Sequence, residues 1–140
     1  MNETTDPAAH VAYADGASRG NPGPSAIGVV IFDPDGREVH RESRRVGHGT
    51  NNEAEYKAAI AALEAALGLG ASRVELRMDS ELVLRQLTGR YRVRNPRLMP
   101  LYGRLLDLRN RFESVTFRNL PRGANRLADS LANQALDRSS

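Results

Sequence analysis

The feature that most constrains the fold is a near-continuous apolar run at residues 25–32, SAIGVVIF, with the turn sequence DPDG directly after it at 33–36. An apolar run of this length between turn residues is typical of a buried strand. The chain then returns as a more polar strand over residues 37–46, and an alternating strand precedes the run at residues 10–15. These segments predict three consecutive antiparallel strands, so the protein is built on a sheet.

Helical and strand patterns alternate after these strands. The sequence TNNE at residues 50–53 resembles a capping box that begins a helix. The remaining pattern predicts strands at 73–78 and 114–120 and helices at 50–67, 81–87, 98–112 and 124–136. The terminal helix is expected to turn Leu127, Leu131 and Ala135 inward. Antiparallel strands followed by crossover units predict an α/β fold, with a five-stranded mixed sheet flanked on both faces by about four helices.

Composition excludes several classes of protein. The chain has 140 residues and no cysteine, which excludes a disulfide framework and a thiolate metal site. No apolar run is long enough to span a membrane and the polar N-terminus is no secretory signal, so we expect a cytoplasmic protein without membrane contact. The length suits one domain at residues 10–138 after a disordered tail at residues 1–9.

The basic residues are unusual in kind more than in number. The net charge is only +3, yet Lys57 is the single lysine and all other cationic side chains are arginines. The planar guanidinium of arginine suits phosphate recognition. A compositional bias of the genome would explain the arginines equally well, so their placement matters more than their count.

Four acidic residues stand at element ends or on a helix face of small residues: Asp15, Glu55, Asp79 and Asp129. Each has an ordinary explanation by itself, since Asp79 could cap a helix, Glu55 could face a helix dipole and Asp129 could be solvated. Four carboxylates that converge would repel one another unless a cation joins them. Convergence therefore predicts hard divalent ions, Mg²⁺ above all, and a pair of them could hydrolyse a phosphodiester.

Other chemistries find no support in the sequence. The three histidines, His10, His40 and His48, are scattered without the spacing of a zinc site. No Ser–His–Asp pattern and no phosphate-binding glycine loop is present, so esterase and nucleotide triphosphatase activities are not indicated.

The acids lie in four motifs that together resemble those of type 1 ribonuclease H, in the same order and at about the same spacing. The motifs are DGASRGNPGP (15–24), TNNEAEY (50–56), MDSELV (78–83) and ANRLADSLAN (124–133). The resemblance covers residues 10–137 and implies a ribonuclease H-like fold. It implies an endonuclease that hydrolyses the RNA strand of RNA–DNA hybrids to 5′-phosphate and 3′-hydroxyl ends. The four acids would hold two Mg²⁺ ions when substrate is bound, Mn²⁺ could substitute, and the protein would be a monomer.

The resemblance also implies substrate contacts. Asn21 and Thr50 match positions that hold a phosphate of the DNA strand. The residues that match positions at the cleaved RNA strand are Gly16, Ala17, Ser18, Asn51 and, as an additional candidate, Asn52. Glu81 stands where several family members carry glutamine, and its carboxylate could accept a hydrogen bond from a 2′-hydroxyl. Asn51 and Asn52 could also cap the helix, and both roles can coexist.

Two departures from the family pattern matter. Many type 1 enzymes carry a loop histidine before the last acid that assists water activation or product release, and the loop at 119–125 has none. Arg122 is expected to assist instead, although it could be a plain phosphate contact. The segment at 88–96 replaces a longer basic insertion, as in compact bacterial and archaeal forms. The arginines expected to replace part of the lost grip on the DNA strand are Arg90, Arg92 and Arg94.

Three alternatives remain at this stage. A domain of the same fold could bind hybrids without cleaving them, although an inactive copy is not expected to keep all four acids. Cleavage of double-stranded RNA, which some compact relatives show, is a second alternative. The chain could also be one domain of a larger protein, such as a fusion with a phosphatase or a reverse transcriptase.

Overall fold

The structure, a computed structural model that describes residues 6–89 and 92–138, consists of a five-stranded sheet and the helices that cover it. The elements, in chain order, are β1 (His10–Ser18), β2 (Gly23–Phe32), β3 (Glu38–Gly49), α1 (Asn51–Gly68), β4 (Arg73–Met78), α2 (Glu81–Leu87), α3 (Met99–Arg109), β5 (Ser114–Asn119) and α4 (Arg126–Asp137). This order confirms the predicted one, and β4 and α2 have the predicted bounds. None of the described helices combines the length and the apolar character that crossing a membrane requires.

The sheet has the strand order β3-β2-β1-β4-β5. The strands β1, β2 and β3 pair antiparallel, whereas β4 is parallel to β1 and β5 is parallel to β4. This is the mixed sheet that the sequence predicts. Since β1 lies at the centre and runs parallel to β4, the C-terminal ends of these two strands lie at the same edge of the sheet. Ligand sites of α/β proteins collect at such edges.

Two glycines let helices pack directly against the centre of the sheet. A Cβ atom at Gly16 would lie 2.2 Å from the backbone oxygen of Ala54 in α1, and one at Gly28 would lie 2.0 Å from that of Ala128 in α4. Gly28 pairs with Asp15, the neighbour of Gly16 on β1. Because adjacent strand residues point to opposite faces, α1 and α4 cover opposite faces of the sheet.

The main hydrophobic core lies between the sheet and the helices α1 and α3. As predicted, the small residues Ala58, Ala59, Ala62 and Ala66 are buried on α1, together with the larger Tyr56 and Leu63. Larger buried side chains fill the remaining space, among them Ile27, Leu76, Leu105 and Leu108. On the opposite face, α4 packs through a smaller cluster that includes Ala26 and Ala135. The small face of α1 brings its backbone close to β1, where the acids lie.

The N-terminus of α1 has the predicted capping box. The Thr50 hydroxyl accepts a hydrogen bond from the backbone N–H of Glu53 at 3.1 Å, and the Glu53 carboxylate accepts one from the backbone N–H of Thr50 at 2.9 Å. These reciprocal bonds satisfy two N–H groups that the helix itself leaves free. They fix where α1 begins and therefore where Glu55 lies.

The first hairpin is longer than predicted. The first two strands were predicted at residues 10–15 and 25–32, but β1 continues to Ser18 and β2 begins at Gly23. Small residues allow the two strands to stay paired up to a short turn, which Arg19 closes by donating from its backbone N–H to the Pro24 carbonyl at 2.8 Å. Asp15 therefore lies inside β1 and not at its end.

The inward face of α4 differs from the prediction at one position. Leu131 and Ala135 are buried as expected, but Leu127 is 39% exposed. The reason is that the first turn of α4 lies over a cleft in the sheet surface, where Leu127 faces Tyr13 and Phe32. A helical spacing alone does not reveal that the helix begins beyond the packed core.

Residues 6–9, predicted to belong to a disordered tail, form a turn. The backbone carbonyl of Asp6 accepts a hydrogen bond from Ala9 at 3.1 Å, and the Asp6 carboxylate lies 3.3 Å from the guanidinium of Arg73 at the start of β4. Ala9 is buried. The prediction is therefore wrong for residues 6–9, because the ion pair and the buried alanine hold the turn against the sheet, and residues 1–5 lie outside the described residues.

Candidate active site

Three of the four predicted acids meet at one edge of the sheet. The parallel pairing of β1 with β4 extends to Tyr13 and Arg77, and Asp15 and Asp79 each stand two residues further along their strand. Glu55 reaches the same point from α1. One carboxylate oxygen of each acid lies within 4.8 Å of an oxygen of each of the other two. Residues far apart in the chain thus form a single cluster.

Glu55 is held in place by the backbone of β1. Its carboxylate accepts a hydrogen bond from the backbone N–H of Gly16 at 2.8 Å. This bond requires α1 to touch the strand, and the missing side chain of Gly16 allows that contact, since a Cβ atom there would lie 2.6 Å from the backbone nitrogen of Glu55. The glycine next to Asp15 is therefore needed for the geometry of the site.

Burial and mutual repulsion weaken the acidity of two of these groups. Asp15 and Glu55 are 6% and 8% exposed. Burial, followed by the charges of Glu55 and Asp79, raises the pKa of Asp15 to about 10. Burial raises the pKa of Glu55 to about 7, against the opposing effect of the Gly16 hydrogen bond. A buried cluster of like charges is stable when ionised only with a compensating cation.

The fourth acid, Asp129, lies beside this cluster and closer to solvent. It is exposed on the first turn of α4, and its carboxylate accepts a hydrogen bond from the side-chain amide of Asn133 at 3.3 Å. A hydrogen bond with Asp129 and its charge both contribute to the raised pKa of Asp15. The structure therefore brings Asp129 to Asp15, although it is not part of the group of three.

The cluster fits a hard divalent cation. All of its ligand atoms are carboxylate oxygens, which Mg²⁺ and Mn²⁺ prefer over the nitrogen and sulfur ligands of zinc sites. Asp15 interacts with each of the other three acids. It is the residue best placed to be shared by two ions.

The predicted substrate contacts of the first two motifs lie together. The backbone N–H of Asn51 donates to the side-chain oxygen of Asn21 at 3.0 Å, so the first turn and the start of α1 are joined. The hydroxyl of Ser18 donates to the Gly49 carbonyl at 2.9 Å, close to Thr50. The segment with Gly16 and Ala17 continues directly into this surface. The exposed residues here are Asn21, Asn51 and Asn52.

The remaining predicted contacts lie on other sides of the cluster. Glu81 is exposed at the start of α2, where it forms an ion pair with Arg85. Arg92 and Arg94 are exposed in the connection between α2 and α3, and Arg122 is exposed in the loop between β5 and α4. Arg90 lies outside the described residues. The roles of these residues in substrate binding stay predictions.

Two buried residues at the site were not assigned roles from the sequence. Ser80 follows Asp79 directly, accepts a hydrogen bond from the backbone N–H of Val83 at 3.4 Å, and its hydrogen bond lowers the pKa of Glu55. Asn125, 3% exposed, stands at the start of α4. Both lie inside motifs, next to an acid or a helix start, but only their three-dimensional contacts distinguish them from ordinary caps.

Comparisons with known proteins agree with this geometry. Residues 13–135 match the family described as reverse transcriptase-like. The chain is 48% identical to ribonuclease HI of Halobacterium salinarum over 126 residues, which are 90% of this chain. The crystal structure of RNase H1 from that organism matches with a TM-score of 0.89 and covers 91% of this chain and 97% of the other.

A second solved structure, LC11-RNase H1 in complex with an RNA/DNA hybrid, is 42% identical and has a TM-score of 0.86, with coverage of 91% of this chain and 96% of the other. The chain spans 63% of the length of the Halobacterium ribonuclease HI and 35% of a bifunctional protein of Mycobacterium tuberculosis to which it is 44% identical. Sequence similarity, shared fold and the cluster of acids agree, and the chain belongs to the type 1 ribonuclease H family.

Proposed function

We propose that this protein is an endonuclease that hydrolyses the RNA strand of RNA–DNA hybrids and leaves 5′-phosphate and 3′-hydroxyl ends. The observation that carries the proposal is the set of three carboxylates, two of them buried, within 4.8 Å of one another near the C-terminal ends of β1 and β4. It is supported by the similarity to LC11-RNase H1, whose structure contains an RNA/DNA hybrid.

The residues proposed to hold the metal are Asp15, Glu55, Asp79 and Asp129. Two Mg²⁺ ions, with Mn²⁺ as a substitute, would supply water activation and stabilisation of the departing 3′-oxygen when they are bound with substrate. Asp15 interacts with each of the other three acids and would be a ligand that the two ions share. Glu55 is fixed by the Gly16 N–H, so its free oxygen is directed toward the cluster. The burial of Asp15 and Glu55 would limit the access of bulk water to this side of the site.

The hybrid would lie across the surface formed by the first two motifs. Asn21 and Thr50 are proposed to hold a phosphate of the DNA strand, next to the exposed N-terminus of α1. The residues proposed to contact the RNA strand are Gly16, Ala17, Ser18, Asn51, Asn52 and Glu81. Selection of hybrids needs both a 2′-hydroxyl contact on one strand and a groove that tolerates deoxyribose on the other.

Cationic side chains are proposed to complete the binding surface. Arg92 and Arg94 would hold the DNA backbone, and Arg90 would add to them, although it lies outside the described residues. Arg122 is proposed to assist water activation or product release from its exposed loop. These contacts are with phosphates, so they set affinity and position but not the choice of RNA over DNA.

A cleavage assay with three end-labelled duplexes tests the proposal. The RNA–DNA hybrid, double-stranded RNA and double-stranded DNA are each incubated with Mg²⁺, with Mn²⁺ or with EDTA. We expect cleavage of the RNA strand of the hybrid alone, dependent on either metal, with products that a 5′-phosphate-dependent exonuclease degrades. Binding of the hybrid without cleavage would support the alternative of an inactive binding domain, and cleavage of double-stranded RNA would show a broader substrate range. A monomer and a cytoplasmic location stay predictions.

A further inference from the structure

Asn125 stands at the N-cap of α4 but does not cap it. Asparagine is among the preferred N-cap residues because its side-chain oxygen accepts a hydrogen bond from the first turn of the helix. No such bond is formed at α4, whose N-cap residue has no side-chain capping hydrogen bond. The side chain that would ordinarily cap the helix therefore bonds to another part of the protein.

The side-chain amide of Asn125 binds the strand that carries Asp15. Its Nδ2 donates to the carbonyl oxygen of Ala14 at 2.7 Å, across 111 positions of the chain. Ala14 lies one residue beyond Tyr13, where the pairing of β1 with β4 ends. Asn125 therefore donates to the carbonyl of the peptide group that joins Ala14 to Asp15 in β1.

The backbone of Asn125 binds the residue that carries the fourth carboxylate. The carbonyl of Asn125 accepts a hydrogen bond from the backbone N–H of Asp129 at 3.0 Å, the first helical bond of α4. One residue thus bonds by its side chain to the strand of Asp15 and by its main chain to Asp129. These are the predicted acids of β1 and α4, and they interact with each other.

The position is not explained by stability alone. Asn125 is 3% exposed, and its Oδ1 has no hydrogen-bond partner among the described residues. It borders the apolar cleft lined by Val30 and Leu127. A buried carbonyl oxygen without a partner is unfavourable, so a side chain selected only for packing would not be an amide. Local rules are broken most often at functional sites.

We propose that Asn125 is a positioning residue that sets the distance between Asp129 and Asp15, and through it the affinity of the site for divalent ions. The proposal rests on the proposed nuclease function. It does not require Asn125 to touch metal or substrate. Residues of this kind, which orient ligands through hydrogen bonds, commonly alter metal affinity or activity when they are replaced.

The first readout is metal binding, which does not depend on cleavage. Mn²⁺ is titrated into the free protein, and the unbound ion is followed by electron paramagnetic resonance. We expect Asn125→Ala to weaken Mn²⁺ binding by roughly 3–10-fold, at or below the lower end of the range for residues that orient ligands because the effect passes through the helix backbone. Gln134→Ala removes an amide from the same helix, one that bonds only to Ser130, and should bind Mn²⁺ as the wild type does. Equal affinity in Asn125→Ala and wild type would overturn the proposal.

The second readout asks whether Asn125 acts through Asp129. Cleavage rates of wild type, Asn125→Ala, Asp129→Asn and the double variant form a double-mutant cycle. We expect Asn125→Ala to slow cleavage about 10-fold in the wild type but less than about twofold once Asp129 is already asparagine. The same fold-loss in both backgrounds would show that Asn125 supports the fold in general and would overturn the proposal.

Folding is checked by circular dichroism at the assay temperature. If Asn125→Ala is unfolded there, Asn125→Asp replaces it, because aspartate has the same shape and at neutral pH lacks the donor. If neither variant folds, Asn125 is a folding residue and the proposal is wrong. A wild-type protein that fails to cleave any hybrid would contradict the proposed function, whereas the Mn²⁺ titration would still decide the role of Asn125.

Discussion

Two clusters of charged residues lie at β4 and at its C-terminal end, and among the described residues only the first is balanced by opposite charge. Glu75 and Arg77 are 3% and 4% exposed, and the guanidinium of Arg77 lies 2.6 Å from the Glu75 carboxylate. Two residues after Arg77, just beyond the C-terminal end of β4, Asp79 joins Asp15 and Glu55. The first cluster joins opposite charges and the second joins equal ones.

The balanced cluster is complete without a ligand. Arg77 also donates to the Tyr13 hydroxyl at 2.8 Å and lies 5.4 Å from the centre of the Tyr13 ring. Arg118 of β5 approaches Glu75 to 3.8 Å. A buried ion pair with further hydrogen bonds of this kind has its desolvation cost offset within the protein. Its role is to join β1, β4 and β5.

The acid cluster is incomplete without a ligand. Across residues 6–89 and 92–138, no ion pair balances Asp15, Glu55 or Asp79, and burial raises the pKa of the first two. Equal charges are kept close together by the parallel strands and by the Gly16 hydrogen bond, at a cost to stability. Burial of a charged side chain is therefore not by itself a sign of function. The sign is a buried charge that the fold leaves uncompensated.

The largest expected effect is on hybrid cleavage, which should depend on the acid cluster. Asp79→Asn removes a proposed metal ligand but keeps the shape of the side chain, so we expect it to abolish hybrid cleavage while hybrid binding stays largely intact. Cleavage is measured on labelled RNA, and binding by fluorescence anisotropy. Asp107→Asn, at an exposed position of α3, is the matched control and should cleave normally. An Asp79→Asn variant that cleaves at the wild-type rate would refute the assignment of this acid.

The second effect separates the clusters by stability. Arg77→Met removes the nearest partner of the buried Glu75 and leaves Arg118, 3.8 Å away, to balance it, so we expect a loss of up to about 3–5 kcal/mol in the free energy of unfolding. The double variant Glu75→Leu/Arg77→Met removes both charges and should recover most of this loss. Urea unfolding of the three proteins provides the measurement. Mg²⁺ dependence of cleavage should not change in the double variant, and a large change there would mean that this cluster also serves the site.

The third effect concerns Arg122, in the loop where many family members carry a histidine. We expect Arg122→Ala to slow turnover about 10–100-fold, at or below the usual contribution of an acid–base group because the role is auxiliary. Arg111→Ala is the matched control, since Arg111 is exposed just before β5 and Arg122 just after it. Single-turnover and steady-state rates distinguish water activation from product release. Equal rates for both variants would make Arg122 a surface charge.

The fourth effect is a pH dependence of the metal-free protein. Because the folded-state pKa of Asp15 is raised from 3.8 to about 10 and that of Glu55 from 4.5 to about 7, the folded protein binds more protons than the unfolded chain in this range. Stability in EDTA should therefore fall as the pH rises, by at least about 1 kcal/mol from pH 5 to 8. Asp15→Asn should flatten this dependence in urea unfolding. Stability that rises with pH would contradict the raised pKa values.

The smallest effect concerns the distant cations. We expect Arg92→Ala and Arg94→Ala each to weaken hybrid binding a few-fold and to reduce the slope of log affinity against log salt by about 1, with the cleavage rate at saturation unchanged. Arg37→Ala, in the exposed turn after β2, is the control. Unchanged salt dependence in both variants would remove these arginines from the binding surface.

The sequence predicted the element order well because the patterns of β4, α1 and α2 are strong. The capping box at Thr50 and the small face of α1 are local signals, and both are confirmed. The hairpin beyond Asp15 was predicted too short because glycine and proline indicate a turn even where small residues still pair. Leu127 was placed wrongly because spacing gives the phase of a helix but not where its packing begins.

The candidate site was predictable only in part. The acids were found by their motifs, but their separation along the chain does not give the spatial distance between Asp15 and Glu55. That distance depends on Gly16, whose missing side chain admits α1 to the strand. Ser80 and Asn125 escaped notice because each looks like an ordinary helix cap. Their contacts with Glu55 and Ala14 arise from the tertiary fold, which no local pattern encodes.

The most direct test of the central claim, that the fold leaves these acids uncompensated in order to bind divalent ions, is a crystal soaked in Mn²⁺ and measured at the manganese absorption edge. We predict an anomalous peak between the carboxylates of Asp15, Glu55 and Asp79, and no such peak in Asp79→Asn crystals. A wild-type crystal without a peak there, at a Mn²⁺ concentration that supports hybrid cleavage in solution, would contradict it.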